Sequence, residues 1–154
     1  MILLMLACAS KEVRISNAMQ GRYDLPAPGE GWEPVKAGGA DHAWWNADYA
    51  ASFYADSNCG VRFEDVALVR LAEAQLNGVA VGEPLSEEYL MLDGREAYTR
   101  LALGKLDGVP VELAVTVMKK NHCTYDFVVV APRGDSFTLA WRDARRSIEG
   151  FVTE

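Results

Sequence analysis

Between Asp93 and Pro132 apolar and polar residues alternate through three segments separated by two short polar turns, and this pattern leaves the chain few architectures to adopt. A period of two belongs to β-strands, whose successive side chains point to opposite faces. It places Ala97, Thr99, Leu101 and Leu103 on one face of the first segment and Val111, Leu113, Val115 and Val117 on one face of the second. Tyr125, Phe127, Val129 and Ala131 do the same in the third. The spacing predicts an antiparallel meander with strands at Arg95 to Leu103, Val109 to Met118 and Thr124 to Ala131.

Parity predicts the register, because residues directly opposite in an antiparallel pair share a face. A two-residue Asp107-Gly108 loop would set Leu103 opposite Glu112. A three-residue loop, Leu106-Asp107-Gly108 with Gly108 left-handed in a bulge, pairs Leu103 with Val111, Leu101 with Leu113 and Thr99 with Val115. The second joins like faces and is the expected one. The same count across Lys119 to Cys123 pairs Met118 with Thr124 and Val117 with Tyr125, while at Asp93-Gly94 parity does not choose. The reverse face then carries Tyr98, Ala102, Ala114, Met118, Val128 and Val130 among Glu96, Arg100, Glu112 and Asp126. A half-apolar face is expected to be covered only in part.

The remaining elements follow from changes of period. Trp32 to Lys36 reads as a short strand that Pro34 confines to an edge or a bulge, and Tyr49 to Ala55 as a second strand that continues to Ser57. Leu68, Leu71, Ala72 and Leu76 form a helical stripe, which predicts a helix near Glu64 to Asn77 that stops at Gly78. Glu88 to Leu92 reads as the strand that opens the meander. After the Gly134-Asp135-Ser136 turn, expected to supply an N-cap, Phe137, Ala140, Trp141, Ala144, Ile148 and Phe151 recur at helical steps and predict a helix over Ser136 to Phe151. The fold class is α+β, an antiparallel sheet meander sandwiched by helices. At 154 residues the chain has room for one core, assigned to residues 32–154.

The first 31 residues read differently. Gly21, Pro26, Pro28, Gly29 and Gly31 interrupt any periodic pattern, so residues 9–31 are expected to be a flexible tether. Met1 to Ser10 is strongly apolar but shorter than the roughly 20 residues a bilayer span needs. Leu4-Met5-Leu6-Ala7-Cys8 resembles the end of a bacterial lipoprotein signal, in which the cysteine is acylated and becomes the mature N-terminus. That resemblance implies lipidation at Cys8, a membrane partner through the lipid anchor, and a domain that faces the periplasm from the cell envelope. The alternative is an apolar tail on a cytoplasmic protein.

Charge and cysteine count bear on partners and compartment. With 15 Lys and Arg against 22 Asp and Glu the net charge is −7, a field unsuited to phosphate backbones, so no nucleic-acid partner is expected. Lys119-Lys120 and Arg142, Arg145 and Arg146 read as a solvated turn and helix-end cations. With Cys8 taken by lipid, Cys59 and Cys123 remain as an even number that can form a disulfide. The alternative is two buried thiols in a reducing compartment.

Candidate chemistry is sparse. The two histidines, His42 in a predicted loop and His122 in a turn, could join Cys59 and Cys123 around zinc, but no spacing holds two such ligands in one local frame. Asp41-His42 with Ser52 or Ser57 can be written as a triad, yet no G-x-S-x-G elbow is present. No catalytic, cofactor-binding or metal-ligating residue is therefore assigned, and no cofactor is expected. Trp32, Trp44, Trp45, Tyr49, Phe53 and Tyr54 concentrate aromatic surface, which either caps one end of the sheet or binds a ligand. Trp32, Trp44, Trp45 and Tyr54 are the candidate binding surface.

Several short motifs occur in a fixed order: Cys59 after a strand, a Leu-rich helix ending before Gly78, Asp93-Gly94-Arg95, the run Leu106 to Val111, Cys123-Thr124-Tyr125-Asp126, and a last helix ending at Gly150-Phe151. Over Trp32 to Phe151 this order resembles a group of small bacterial envelope lipoproteins of undetermined activity. The order of elements is similar to the PsbP-like α/β/α sandwich, the fold of an extrinsic photosystem subunit. The resemblance implies a non-enzymatic protein that binds a protein partner or an apolar ligand through its sheet face or aromatic cluster. The alternative is a small-molecule carrier or enzyme with a pocket between sheet and helix. A deep polar cavity would favour the latter and a shallow apolar patch the former.

Overall fold

The computed structural model describes residues 21–36, 38–60 and 65–154. In chain order the elements are β1 (Tyr23–Asp24), β2 (Trp32–Pro34), β3 (His42–Asn46), β4 (Ala51–Cys59), α1 (Leu68–Leu76), β5 (Ser86–Leu92), β6 (Arg95–Leu106), β7 (Val109–Lys120), β8 (Cys123–Pro132), α2 (Asp135–Glu149) and β9 (Val152–Thr153). Strands β2 to β8 form one seven-stranded sheet in the order β2-β3-β4-β8-β7-β6-β5, and β1 pairs with β9 apart from it. Every pairing is antiparallel. The α+β meander expected from periodicity is present; its first two strands extend further at their C-terminal ends and its third at both ends.

Its register differs from the expected one. Two-residue turns join β5 to β6 at Asp93-Gly94, β6 to β7 at Asp107-Gly108 and β7 to β8 at Asn121-His122, with positive φ at all six positions. Two left-handed central residues give the turn whose twist matches that of the flanking strands. Leu113 accordingly lies opposite Ala102, with Leu101 opposite Ala114 and Leu103 opposite Glu112, and in the next hairpin Met118 lies opposite Tyr125. Parity failed because both faces are apolar, so either register buries aliphatic side chains and turn geometry decides. The pair that parity disfavours, Leu103 with Glu112, sits near the hairpin end, where Glu112 is half-buried and accepts a hydrogen bond from the Gly134 N–H.

The shift reassigns residues to faces. Val111, Leu113, Val115 and Val117 join Tyr98, Ala102 and Val128 beneath α1, around Ala72 and Leu76. Ala114 and Met118, expected on that reverse face, instead join Ala97, Tyr125, Phe127 and Val129 beneath α2, around Phe137, Ala140, Ala144 and Ile148.

Local chemistry explains the altered boundaries. The first helix begins at Leu68, with Ala67 as an N-cap that offers no side-chain bond; the expected start, Glu64, lies outside the described residues. The second begins at Asp135, and its N-cap is Gly134 at φ 98, whose carbonyl accepts from the Thr138 hydroxyl; Ser136 does not cap it. Tyr49 lies outside β4 because Ala47 to Ala50 turn, with Ala50 left-handed and the Tyr49 N–H donating to Asn46 Oδ1. His42 belongs to β3, not to a loop. The tether expectation is corrected from residue 21 onward: β1 pairs with β9, the Gly21 N–H donates to Ser57 Oγ at 2.7 Å, and the Ser147 hydroxyl donates to the Pro26 carbonyl. Residues 1–20, including Cys8, lie outside the described residues.

Asp93 ties the ends together. Its Oδ2 accepts from the Thr153 hydroxyl at 2.6 Å, the Thr153 N–H at 2.9 Å and Lys120 Nζ at 2.9 Å. These donors, the Thr153 hydroxyl foremost, hold its carboxyl down at about 2.

Candidate functional site

The two helices cover unequal areas. α2, fifteen residues long, lies across β8, β4 and β7, whereas α1 has nine residues and contacts β7 and β6. Among the described residues, no helix covers the α1 face of the sheet toward β4, β3 and β2. There Trp45 stands opposite Ser52 and Glu33, and Ala43 opposite Tyr54. Trp45 is 42% exposed, Val35 beside Ala43 is 48% exposed, and Tyr54 is half-buried against the α1-side core.

The expected aromatic platform is thus divided by strand parity, since neighbours on a strand point to opposite faces. Trp32 and Trp44 are corrected from binding surface to core. Trp32 Nε1–H donates to the buried Asp143 Oδ2 at 3.1 Å, and Trp44 stacks on Phe53 with ring centroids 5.3 Å apart. Trp45 and Tyr54 remain on the open face. Val35 joins them, a residue sequence reasoning did not single out although its parity with Glu33 already placed it there.

Below Tyr54 the same face carries two carboxyls in direct cross-strand contact, Asp56 on β4 and Asp126 on β8. Like charges directly opposite repel, and burial disfavours the charged form. Burial first and the Asp56 charge second push the Asp126 carboxyl up to about 7, against a Gln75 Nε2–H bond of 2.9 Å that favours the anion. Burial, then Asp41, raises Asp56; burial, then the charges of Asp126 and Asp56, raises the Tyr54 hydroxyl. The pair can hold a proton near neutrality at the margin of the open face. A signal for it existed in the sequence: bridging Cys59 to Cys123 as opposite residues also sets Asp56 opposite Asp126 and Tyr54 opposite Val128.

Cys59 and Cys123 do face each other across β4 and β8, joined at an S–S distance of 2.01 Å. The bond occupies both sulfurs of the conceivable zinc set, and no group of three or more His, Cys, Asp or Glu among the described residues could hold a metal ion. The conceivable triad is also rearranged. Ser57 Oγ donates to Asp41 Oδ2 at 2.6 Å, the Tyr23 hydroxyl donates to the same oxygen at 2.8 Å, and the His42 ring stacks on Trp44. Ser52 lies on the opposite face, across from Trp45.

The concavities lined by described residues include open grooves. Two of about 390 Å³ share Arg95 and Lys119, one continuing past Lys120 and His122 and the other past Leu68, Val69 and Tyr89. Between sheet and helix, a groove of about 200 Å³ lies at the C-terminal end of α1 beside Leu76, Ala80 and Arg100.

No family model and no curated protein sequence matches the chain. Solved structures do. Cyanobacterial PsbP (CyanoP) from Synechocystis sp. PCC 6803 aligns over 96% of this chain and 98% of its own, at 12% identity and a TM-score of 0.59. The fold is PsbP-like. LpqN, involved in cell envelope biogenesis of Mycobacterium tuberculosis, aligns over 89% of this chain and 86% of its own, at 14% identity and a TM-score of 0.57. A protein from Bacteroides thetaiotaomicron VPI-5482 aligns over 88% of this chain at 13% identity and a TM-score of 0.58, and the chain spans about half, 49%, of its length. At such identities the PsbP-like sandwich is what these proteins share, and function must be argued from this chain's own surface.

Proposed function

We propose that this chain is a non-enzymatic protein of the bacterial cell envelope, anchored by a lipid on Cys8, which binds a protein partner on the open part of its sheet. The observation that carries the reading is the incomplete cover. Among the described residues, a nine-residue helix leaves the β2-β3-β4 side of one face uncovered, with Trp45 and Val35 exposed on it. Exposed apolar residues rimmed by carboxylates mark interaction surfaces more often than reaction centres, and tryptophan is enriched among residues that dominate binding energy. The Cys59–Cys123 bond fits an oxidising compartment. The likeness to LpqN points the same way. No described helix is long and apolar enough to cross a membrane, and the reading assigns attachment to the acyl chain.

Two measurements test it. A photo-crosslinking residue at position 45 or 35 in living cells should trap one defined protein, while the same residue at the exposed Arg142 on α2 should not. Equal trapping from both faces would overturn the surface. Fatty-acid labelling should be lost with Cys8→Ser, and a parent protein without label would overturn the anchor.

A further inference from the structure

The two edges of the sheet are built differently. β2 has three residues and contains Pro34, which has no N–H to offer a neighbour. β5 has seven residues, SEEYLML, with no proline, no lysine and an unbroken register to β6 from Ser86 to Leu92. Among the described residues no backbone hydrogen bond reaches its outer side. A long, flat, unpaired edge is a template for another strand unless charge, proline or a bulge blocks it. Its two carboxylates have partners within the chain, Glu87 on Tyr98 and Arg100 and Glu88 on Arg145 of α2, so they disfavour only registers that set one against another. Tyr89 and Met91 instead present 57% and 69% of their surface.

We propose that β5 pairs antiparallel with β5 of a second copy of this chain, about a two-fold axis through Tyr89, to make one continuous sheet. Facing residues must share a face, so the axis passes through a residue and its position is discrete. Through Tyr89 all seven residues pair: Tyr89 meets the partner's Tyr89, Glu88 meets the partner's Leu90 and Glu87 meets the partner's Met91. No carboxylate faces another. An axis through Glu88 sets the two Glu88 carboxylates against each other, a repulsive arrangement, while axes through Leu90 and Met91 leave the Ser86 end of the strand unpaired. Only the axis through Tyr89 pairs the strand over its whole length with itself and opposes no carboxylates, which favours a second copy over an unrelated extended peptide. This inference does not rest on the function proposed above and uses the opposite end of the sheet from Trp45.

The test uses the full chain carrying Cys8→Ser, so that neither an acyl group nor a third thiol contributes to association. Sedimentation equilibrium should give twice the chain mass. Tyr89→Lys, which brings two ammonium groups together at the axis, should raise the dimer Kd by about tenfold or more with an unchanged circular dichroism spectrum. Under mild oxidation Tyr89→Cys should crosslink the two copies, Met91→Cys alone should not, and Glu87→Cys mixed with Met91→Cys should. A chain that stays monomeric at about 100 μM, a concentration at which even weak specific dimers form, overturns the proposal. So does a dimer indifferent to Tyr89→Lys, or one in which Met91→Cys crosslinks as readily as Tyr89→Cys.

Discussion

The two faces of one sheet are finished in different ways. Under α2 the core is aromatic and closed: Phe53, Tyr125, Phe127 and Phe151 are buried, Trp32 and Trp44 seal its margin, and Tyr23 of β1 packs edge-on against Tyr125. Under α1 the core is aliphatic apart from Tyr98 and ends at a polar boundary, where Gln75, Asp126 and Asp56 separate the helix from the strands that no described helix covers. Large rings fix one another's positions through edge-to-face contacts, whereas valine and alanine side chains tile a surface that a short helix can cover. The closed face specifies the fold. The open one is free to meet something else.

The largest expected effect tests what holds the closed face together. The Cys59–Cys123 bond spans 64 residues and lies on that side, with Cys123 packed against its core. In the chain-entropy model, closing such a loop stabilises the fold by about 4 kcal/mol. Urea denaturation of the double Cys→Ala variant should register a loss of that order, with the slope altered by a less restrained unfolded chain. A loss below about 1 kcal/mol would place the stability of the α2 face in packing alone.

Packing gives the next contrast. Phe127 is fully buried under α2 with its ring 5.2 Å from Phe151, and Phe127→Ala should cost about 3 to 4 kcal/mol, cavity included. Val117, equally buried under α1, loses two methyl groups in Val117→Ala and should cost about 2 kcal/mol. Matching values from chemical denaturation would remove the energetic distinction between the faces.

Sequence alone separated these faces only in part. The second helix was legible because Phe137, Ala140, Ala144 and Ile148 keep helical steps beside a charged stripe, and the meander because its alternation is long. The register was not legible from hydrophobicity, since β6 and β7 are apolar on both sides. The Asp107-Gly108 pair, a strong two-residue turn signal, outweighs the parity of a few aliphatic residues. Asn121-His122 gives a weaker signal for the same turn. At the open face, the adjacency of Trp44 and Trp45 already required that one be buried when the other was not. The Asp56–Asp126 contact depends on pairing strands far apart in the chain, and only the disulfide register carries that information.

A smaller effect separates the faces by pH. The folded chain keeps the Asp126 proton up to about pH 7, whereas its ordinary value is 3.8. Between these values the folded state binds more protons than the unfolded one, so stability falls as pH rises through the window and levels off above it. Asp126→Asn keeps an acceptor for Gln75 and removes the titration. It should leave stability at pH 4 nearly unchanged and raise it at pH 8 by on the order of 1 to 2 kcal/mol, less than the full shift because the site keeps some solvent contact. Thermal melts at the two pH values measure this directly, and Phe127→Ala, under the other face, should show no such pH dependence in its cost.

The smallest effect on stability belongs to Trp45. It is 42% exposed and no described helix lies above it, so Trp45→Ala should change the unfolding free energy by no more than about 0.5 kcal/mol. Trp44, one residue earlier, points into the aromatic core and stacks on Phe53, so Trp44→Ala belongs with the large losses. A tryptophan retained at an exposed sheet position without a folding role needs another reason to be there. If the open face binds a protein, Trp45→Ala should weaken that complex by about 2 kcal/mol, roughly thirtyfold, while the melting temperature stays where it was. Crosslinking yield from position 35 against the same substitution reads the binding side independently of position 45. A variant that melts early, with partner capture intact, would move Trp45 from the open face into the architecture and leave the bare strands without a demonstrated use.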